Sequence, residues 1–522
     1  MNLAGQRRYG HDEVVDAVVV GAGAGGAPLL AALAASGLRV VALEAGPNFD
    51  PAAYGFDETL ADEIYWTEER LSGGSTPEAF GANNSGTGIG GSTLHWGAFV
   101  PRADPRDFRL QAESGEGCDW PIDHAELTPF YDRVEAFIGT SGPTPYPWDE
   151  ARRFPLPPVL RNGPAQLMAA ACDRLGITAT DAPAAVVSRD FTPGGSDPGQ
   201  HVPERKACIN CGYCHQGCRT RAKASMDVTY LPLAVAKGAE IRAEARMHGV
   251  ERDTAGRITA VIYRSGGRDH RQRCAHLILC AGAVETPRLL LHLDLATGSG
   301  QVGRNYIGHV ATQVWGTFAD EVGMNRGYPS SLITEDYTRP KGADFAGGYL
   351  VQSLGVEPLT WGNAVARGRG LWGQVLTDYL KQYNRVAGIG INGETLPCDA
   401  NVLTLSDETD ALGMRKAHIS FGYGPNEHGL NAHATKVMRE IWEAAGARDV
   451  WVLERVAHTL GTCRMGRNPD SSVVDPFGRS HEVENLWICD GSVFPSSLAA
   501  NPALTIMALS LRTAGAFLKD PR

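Results

Sequence analysis

The chain has 522 residues, 43% hydrophobic and 20% charged, which is enough apolar material for two folded cores and argues against disorder. Its 48 basic residues stand against 59 acidic ones, a formal net charge of -11, so no broad cationic surface offers itself to a nucleic-acid backbone. Met1–Asp16 lacks the hydrophobic core of an export signal, and Ala27–Leu38 is too short for a membrane span. Eleven cysteines, an odd number, fit a reducing compartment, and a cytoplasmic location is expected.

Asp16–Val20 is an apolar run suited to a buried parallel strand, and it leads straight into Gly21-Ala-Gly23-Ala-Gly-Gly26. Ala27–Ser36 continues as a helix ended by Gly37, and Arg39–Leu43 is a second strand closing on Glu44. Together these make a complete dinucleotide-binding βαβ unit. Gly21 allows the tight turn, Gly23 lets backbone N–H groups reach a pyrophosphate, and Gly26 lets helix and strand pack closely. Glu44 is placed to accept from adenosine ribose hydroxyls, which disfavours NADP but does not separate FAD from NAD.

Later segments are also glycine-rich. Phe80–Arg102 is a glycine-studded loop that runs through Gly90-Gly91-Ser92 into His95-Trp96 and could wrap a flat ring. Leu277–Gly282 reads as a strand ending in glycine, with Thr286-Pro287 expected to open a helix that has proline at its first position. Near the end come His458-Thr-Leu-Gly-Thr-Cys-Arg-Met-Gly466, Leu486–Pro495 with Asp490-Gly491, and Ala500-Asn501-Pro-Ala-Leu-Thr-Ile506.

In this order, across nearly the whole chain, these segments resemble the glucose-methanol-choline (GMC) family of flavin oxidoreductases. The resemblance implies FAD, with Gly90, Gly91, Ser92 and His95 along the flavin, Gly282 at the start of a helix, and Asp490-Gly491 at the ribityl-pyrophosphate part. It also implies that His458 and Asn501 form an active-site pair on the isoalloxazine face. The branch most alike contains gluconate dehydrogenase large subunits and fatty alcohol oxidases. The loop around His95 also looks like pyranose oxidase, so a covalent histidyl-FAD bond there is one alternative.

The fold class expected is α/β: a Rossmann-like FAD-binding domain, discontinuous in sequence, with an antiparallel-sheet substrate-binding domain. The FAD-binding parts are assigned to 1–130, 206–310 and 447–522, a connecting segment to 131–205 and the substrate domain to 311–446. In that last region Gln313–Phe318, Ala346–Gln352 and His418–Tyr423 look like strands, and Asn426–Ala445 like a helix. Trp361, Trp372, Tyr379 and Tyr383 read as core aromatics, with a sugar-stacking surface or a lid as the alternative.

Cys208-Ile-Asn-Cys211-Gly-Tyr-Cys214-His-Gln-Gly-Cys218 places four cysteines in eleven residues. That density reads as a metal-ligand run, close to a ferredoxin spacing but with Arg219 where proline would follow. An iron–sulfur cluster ([4Fe-4S] or [3Fe-4S]) is the favoured reading, beside a structural zinc site or buried free thiols.

The chemistry expected is hydride transfer from a hydroxyl-bearing carbon to the flavin, with His458 as base and Asn501 orienting the hydroxyl. A sugar, polyol or glycoside is favoured as substrate, a long-chain or sterol alcohol being the alternative. Electrons would pass to oxygen, a quinone or a redox protein. The rivals are a non-catalytic electron-transfer subunit and a nicotinamide-dependent dehydrogenase.

Overall fold

A computed structural model of the chain describes residues 1–53, 57–76, 85–193 and 202–520. Phe80–Asn84, the start of the expected flavin loop, lies outside the described residues. Two large sheets organise the molecule, and the α/β class with a Rossmann-like unit and an antiparallel sheet is borne out.

The first sheet runs in the order Glu240–Arg242, Val40–Leu43, Val15–Val20, Arg268–Leu279, Ile258–Ser265, Arg246–Arg252, and Leu486–Ile488 joins the Arg268–Leu279 strand. The strands Glu240–Arg242, Val40–Leu43, Val15–Val20, Arg268–Leu279 and Leu486–Ile488 are parallel, and in register Val20 lies beside both Leu43 and Leu279, which in turn lies beside Ile488. Four strand ends therefore finish at one level. The turns that follow them, at Gly21, Glu44, Cys280–Gly282 and Cys489–Gly491, crowd the carboxyl edge, where open parallel sheets bind their ligands. The helix Gly26–Ala35 is apolar on nearly every side and almost wholly buried, as a helix at the centre of a large core must be.

The helix after Leu279 starts at Gly282 and carries Pro287 inside it, so the expected start at Thr286-Pro287 is corrected. The earlier start is held by the Asp490 carboxylate, which accepts from the Gly282 N–H at 2.8 Å and the Thr286 hydroxyl at 2.6 Å. Proline leaves the carbonyl four residues back without its usual donor; here the Thr462 hydroxyl donates to that Ala283 oxygen at 2.9 Å.

The second sheet is antiparallel, in the order Arg448–Leu453, Gln313–Thr317, Val386–Gly393, Tyr349–Leu354, Leu332–Thr334, Thr180–Asp181, with Tyr306–Val310 and Val456–Gly461 attached at one side. One face packs on the helices Gly163–Leu175 and Pro425–Ala444 through Val314, Ile389, Val351 and Trp442. Strand alternation then turns Gln313, Trp315, Gln352, Leu354, Gly390 and Asn392 to the other face, toward a cavity. The strand Arg415–Ser420 stands apart, in a three-stranded sheet with Val402–Thr409 and Leu71–Gly73. Trp361 is buried against Trp315 and Trp451, with Tyr379 and Tyr383 at the edge of that cluster, whereas Trp372 is 83% exposed. Among the described residues no helix is long and apolar enough to cross a membrane.

Candidate active site

A cavity of about 690 Å³ lies between the carboxyl edge of the first sheet and the open face of the second. Gly21, Gly23, Glu44, Gly91, Ser92, His95, Gly282, Asp490, Gly491, His458 and Asn501 all line it. Residues as far apart in the sequence as Gly21 and Asn501 are thus brought to one space. Gly26 and Gly90 stand behind this lining.

The glycines are there because nothing larger fits. A Cβ at Gly21, where φ is +100°, would sit 2.3 Å from the Cys280 carbonyl oxygen; at Gly25 it would sit 2.0 Å from that of Cys489; and at Gly26, 2.0 Å from that of Gly21. The second loop meets the first glycine to glycine, a Cβ at Gly91 falling 2.8 Å from the Gly23 Cα. Each of these contacts brings backbone to backbone and leaves the N–H groups at the start of the first helix open to the cavity, as a pyrophosphate requires. Glu44 is buried and accepts from the N–H groups of Ala22, Gly46 and Gly88 at 3.0, 3.0 and 3.2 Å. Burial raises its pKa, against those same hydrogen bonds. The carboxylate therefore braces the turn as well as lining the site.

On this wall two buried ring nitrogens, His95 Nε2 and Trp96 Nε1, have no hydrogen-bond partner among the described residues. Buried donors and acceptors are rarely left so, and both side chains line the cavity. Burial, with Lys223 and His215 adding to it, takes the His95 pKa down to about 3, so the ring is neutral.

The opposite wall carries His458. Its strand pairs Ala457 with His309 and Leu460 with Ile307, so His458 and Thr459 face the single residue Gly308. This is a β-bulge, the device by which sheets re-aim a side chain beside a site. His458 takes the left-handed conformation, φ +63°, a cost of roughly 1–3 kcal/mol for a residue with a Cβ. Beside it, the Asn501 amide Nδ2 lies 3.4 Å from His458 Nε2. Burial, then His309 and Arg455, holds the His458 pKa well below the usual imidazole range.

Two side chains that sequence reasoning missed complete this wall. Asn392 Nδ2 donates to Asn501 Oδ1 at 2.9 Å, turning the Asn501 amide nitrogen toward His458. His309, wholly buried, has Nδ1 3.1 Å from His458 Nδ1 and Nε2 2.9 Å from the Leu498 carbonyl oxygen. Neither belongs to a motif. The only signal was strand alternation, and that needs the register of the second sheet.

The four clustered cysteines do not assemble as expected. Among the described residues, no group of three or more His, Cys, Asp or Glu is arranged to hold a metal ion. Cys214 is buried and Cys208, Cys211 and Cys218 are partly so; burial pushes the Cys208 thiol up to about 11 and raises those of Cys211 and Cys214. The Cys208 and Cys218 sulfurs accept from the backbone N–H of Asn210 and Lys223, each at 3.4 Å. Burial thus favours the neutral thiols of Cys208, Cys211 and Cys214, and neither the expected iron–sulfur cluster nor the zinc alternative finds a ligand group here among the described residues. Buried Lys223 ties the loop to the cavity wall, donating to the carbonyls of Cys214, Leu94 and Trp96 at 2.6, 2.7 and 3.2 Å.

Comparison with known proteins agrees with this architecture. Two family models, each described as GMC oxidoreductase, match residues 15–311 and 397–510. The 2-methyl-1,2-propanediol dehydrogenase of Mycolicibacterium austroafricanum is 30% identical over 95% of this chain and 94% of its own. The fructose dehydrogenase large subunit of Gluconobacter japonicus is 28% identical over 97% of this chain and 98% of its own. The crystal structure of pyridoxine 4-oxidase from Mesorbium loti, 19% identical, shares the fold with a TM-score of 0.70 over 97% of this chain and 99% of that one. With its glycine-lined sheet edge facing a second, antiparallel sheet, the chain belongs to the GMC oxidoreductases, a family of FAD-binding flavoproteins.

Proposed function

We propose that the protein oxidises a CH–OH group of a sugar, polyol or glycoside with FAD held in the described cavity. The observation that carries this reading is the His458–Asn501 pair lining the same space as the Gly21–Gly26 turn. In the proposal Gly21, Gly23 and Gly26 make room for the pyrophosphate at the first helix, and Glu44 takes the ribose. Gly91, Ser92 and His95, with Gly90 behind them, would hold the flavin part, and Gly282, Asp490 and Gly491 the ribityl part.

Bound FAD supplies the hydride acceptor. His458 Nε2 takes the proton of the substrate hydroxyl. Its low pKa keeps it neutral, and so able to accept, across the physiological range. Asn501 orients that hydroxyl through Nδ2, and Asn392 holds the Asn501 amide in the required sense.

The preference for a hydroxyl-rich substrate is supported by the wall around His458. Gln313, Gln352, Asn363 and Asn392 line the cavity there together with Arg367 and Arg455. Gln352 Oε1 is buried with no partner among the described residues. A long-chain alcohol would leave that oxygen desolvated without compensation, at about 1–3 kcal/mol. The relatives named for propanediol and fructose oxidation lie on the same side of that choice.

The test is the visible spectrum of the holoenzyme under nitrogen while diols, sugars, glycosides and fatty alcohols are added in turn. Flavin bleaching by a polyhydroxylated compound is expected. Bleaching by fatty alcohols alone would overturn the substrate class, and bleaching by none would overturn the enzyme reading.

A further inference from the structure

We infer that His309 is a positioning residue that fixes the tautomer of His458 and so leaves its Nε2 without a proton, an acceptor facing the cavity. The inference rests on the proposed role of His458 as base and adds the group that makes it one. A carbonyl oxygen can only accept, so the 2.9 Å contact between His309 Nε2 and the Leu498 oxygen requires His309 to carry its proton on Nε2. Its Nδ1 is then a bare acceptor. Because that atom lies 3.1 Å from His458 Nδ1, the proton between them belongs to His458 Nδ1. His458 Nε2 is left without hydrogen and points at the Asn501 amide nitrogen, a donor, 3.4 Å away.

The chain of donors thus runs in one direction only. The reverse arrangement would set a His309 lone pair against the Leu498 carbonyl and leave two buried groups unsatisfied. The rings meet edge-on, at 85° with centroids 4.9 Å apart, which suits one N–H directed at the other ring's nitrogen lone pair. The backbone is bent to permit this: His458 and Leu498 both have φ of +63°. His309 itself is pinned by its register with Ala457 and by Tyr423, whose hydroxyl donates to the His309 carbonyl at 2.9 Å. When His458 Nε2 accepts the substrate hydroxyl proton, His458 becomes an imidazolium. Its Nδ1–H bond to His309 then becomes charge-assisted and stronger, so His309 favours the protonated base more than the free one.

Two measurements on the flavin-loaded enzyme test this. In protein labelled with 15N-histidine, the His458 resonances, identified by their loss in His458→Asn, should show Nδ1 protonated and Nε2 bare. A protonated Nε2 in the resting enzyme would overturn the inference, whatever the variants do. In kinetics, His309→Leu should lower kcat about ten- to a hundredfold, the lower part of the range for a mispresented general base, with little change in KM. His309→Asn, which keeps an oxygen acceptor at the Nδ1 position, should recover most of the rate. Wild-type turnover in His309→Leu, or an Asn variant as slow as the Leu variant with flavin content unchanged, would also overturn it. Should His458→Ala turn over normally, the base reading fails by itself, and the tautomer remains readable from the resonances.

Discussion

The two walls of the cavity are built on opposite principles. The wall formed by the first sheet is specified by what is missing: Gly21, Gly25, Gly26 and Gly91 sit where a single Cβ would strike backbone at 2.0–2.8 Å. The wall formed by the second sheet is specified by aim, through a bulge at His458, strand alternation at Gln313, Gln352 and Asn392, and a hydrogen-bond chain through His309. Close approach is encoded by residue type and survives in a short motif. Aim is encoded by register and does not.

The largest effect should follow from filling the first wall. Gly25→Ala is expected to yield protein without bound flavin, because the Cys489 carbonyl 2.0 Å from the new Cβ is backbone and cannot swing aside. The flavin-to-protein absorbance ratio after purification measures it, and a normal ratio would show that the first wall tolerates the added Cβ. On the second wall, Asn392→Ala should keep the flavin and lose about tenfold in kcat, the worth of one hydrogen bond orienting Asn501. Unchanged turnover would show that Asn501 needs no support.

The pH profile sharpens the contrast further. Because burial holds His458 well below the usual imidazole value of 6.5, kcat at saturating substrate should stay flat as pH falls from about 8 through that value. An acid limb centred there would contradict the buried-base account. The same depressed pKa means that the unfolded chain binds a proton the folded one refuses. The contribution of this histidine to stability is therefore full above 6.5 and declines as pH drops below it. The smallest effect belongs to the cysteine loop. Cys208→Ser, replacing a partly buried thiol that only accepts from the Asn210 N–H, should change turnover by no more than about twofold. Loss of activity with loss of iron from the protein would restore the cluster reading.

These outcomes also mark how far the sequence could be read. The Gly21–Glu44 unit was legible because strand, turn, helix and acid are contiguous, so local chemistry carries the whole argument. His458 and Asn501 were legible from the family resemblance, and they do line one cavity. His309 and Asn392 were not, because an isolated histidine or asparagine in a strand gains meaning only when its neighbour across the sheet is known. Pro287 misled for a related reason: its first-turn preference is a local rule, and here Asp490 and Thr462, from distant segments, satisfy the groups that would otherwise have set the helix start. The cysteine run shows the limit of spacing taken by itself: four cysteines in eleven residues form no metal-holding group among the described residues.

One measurement bears most directly on the claim that the two walls meet in a single reaction. Flavin reduction should be followed by rapid mixing under nitrogen, with a polyol or sugar that bleaches the wild-type enzyme, in wild type and in His458→Ala loaded with equal flavin. The account predicts reduction slower by about two to four orders of magnitude in the variant, its flavin spectrum unaltered before mixing. Reduction at the wild-type rate would contradict it.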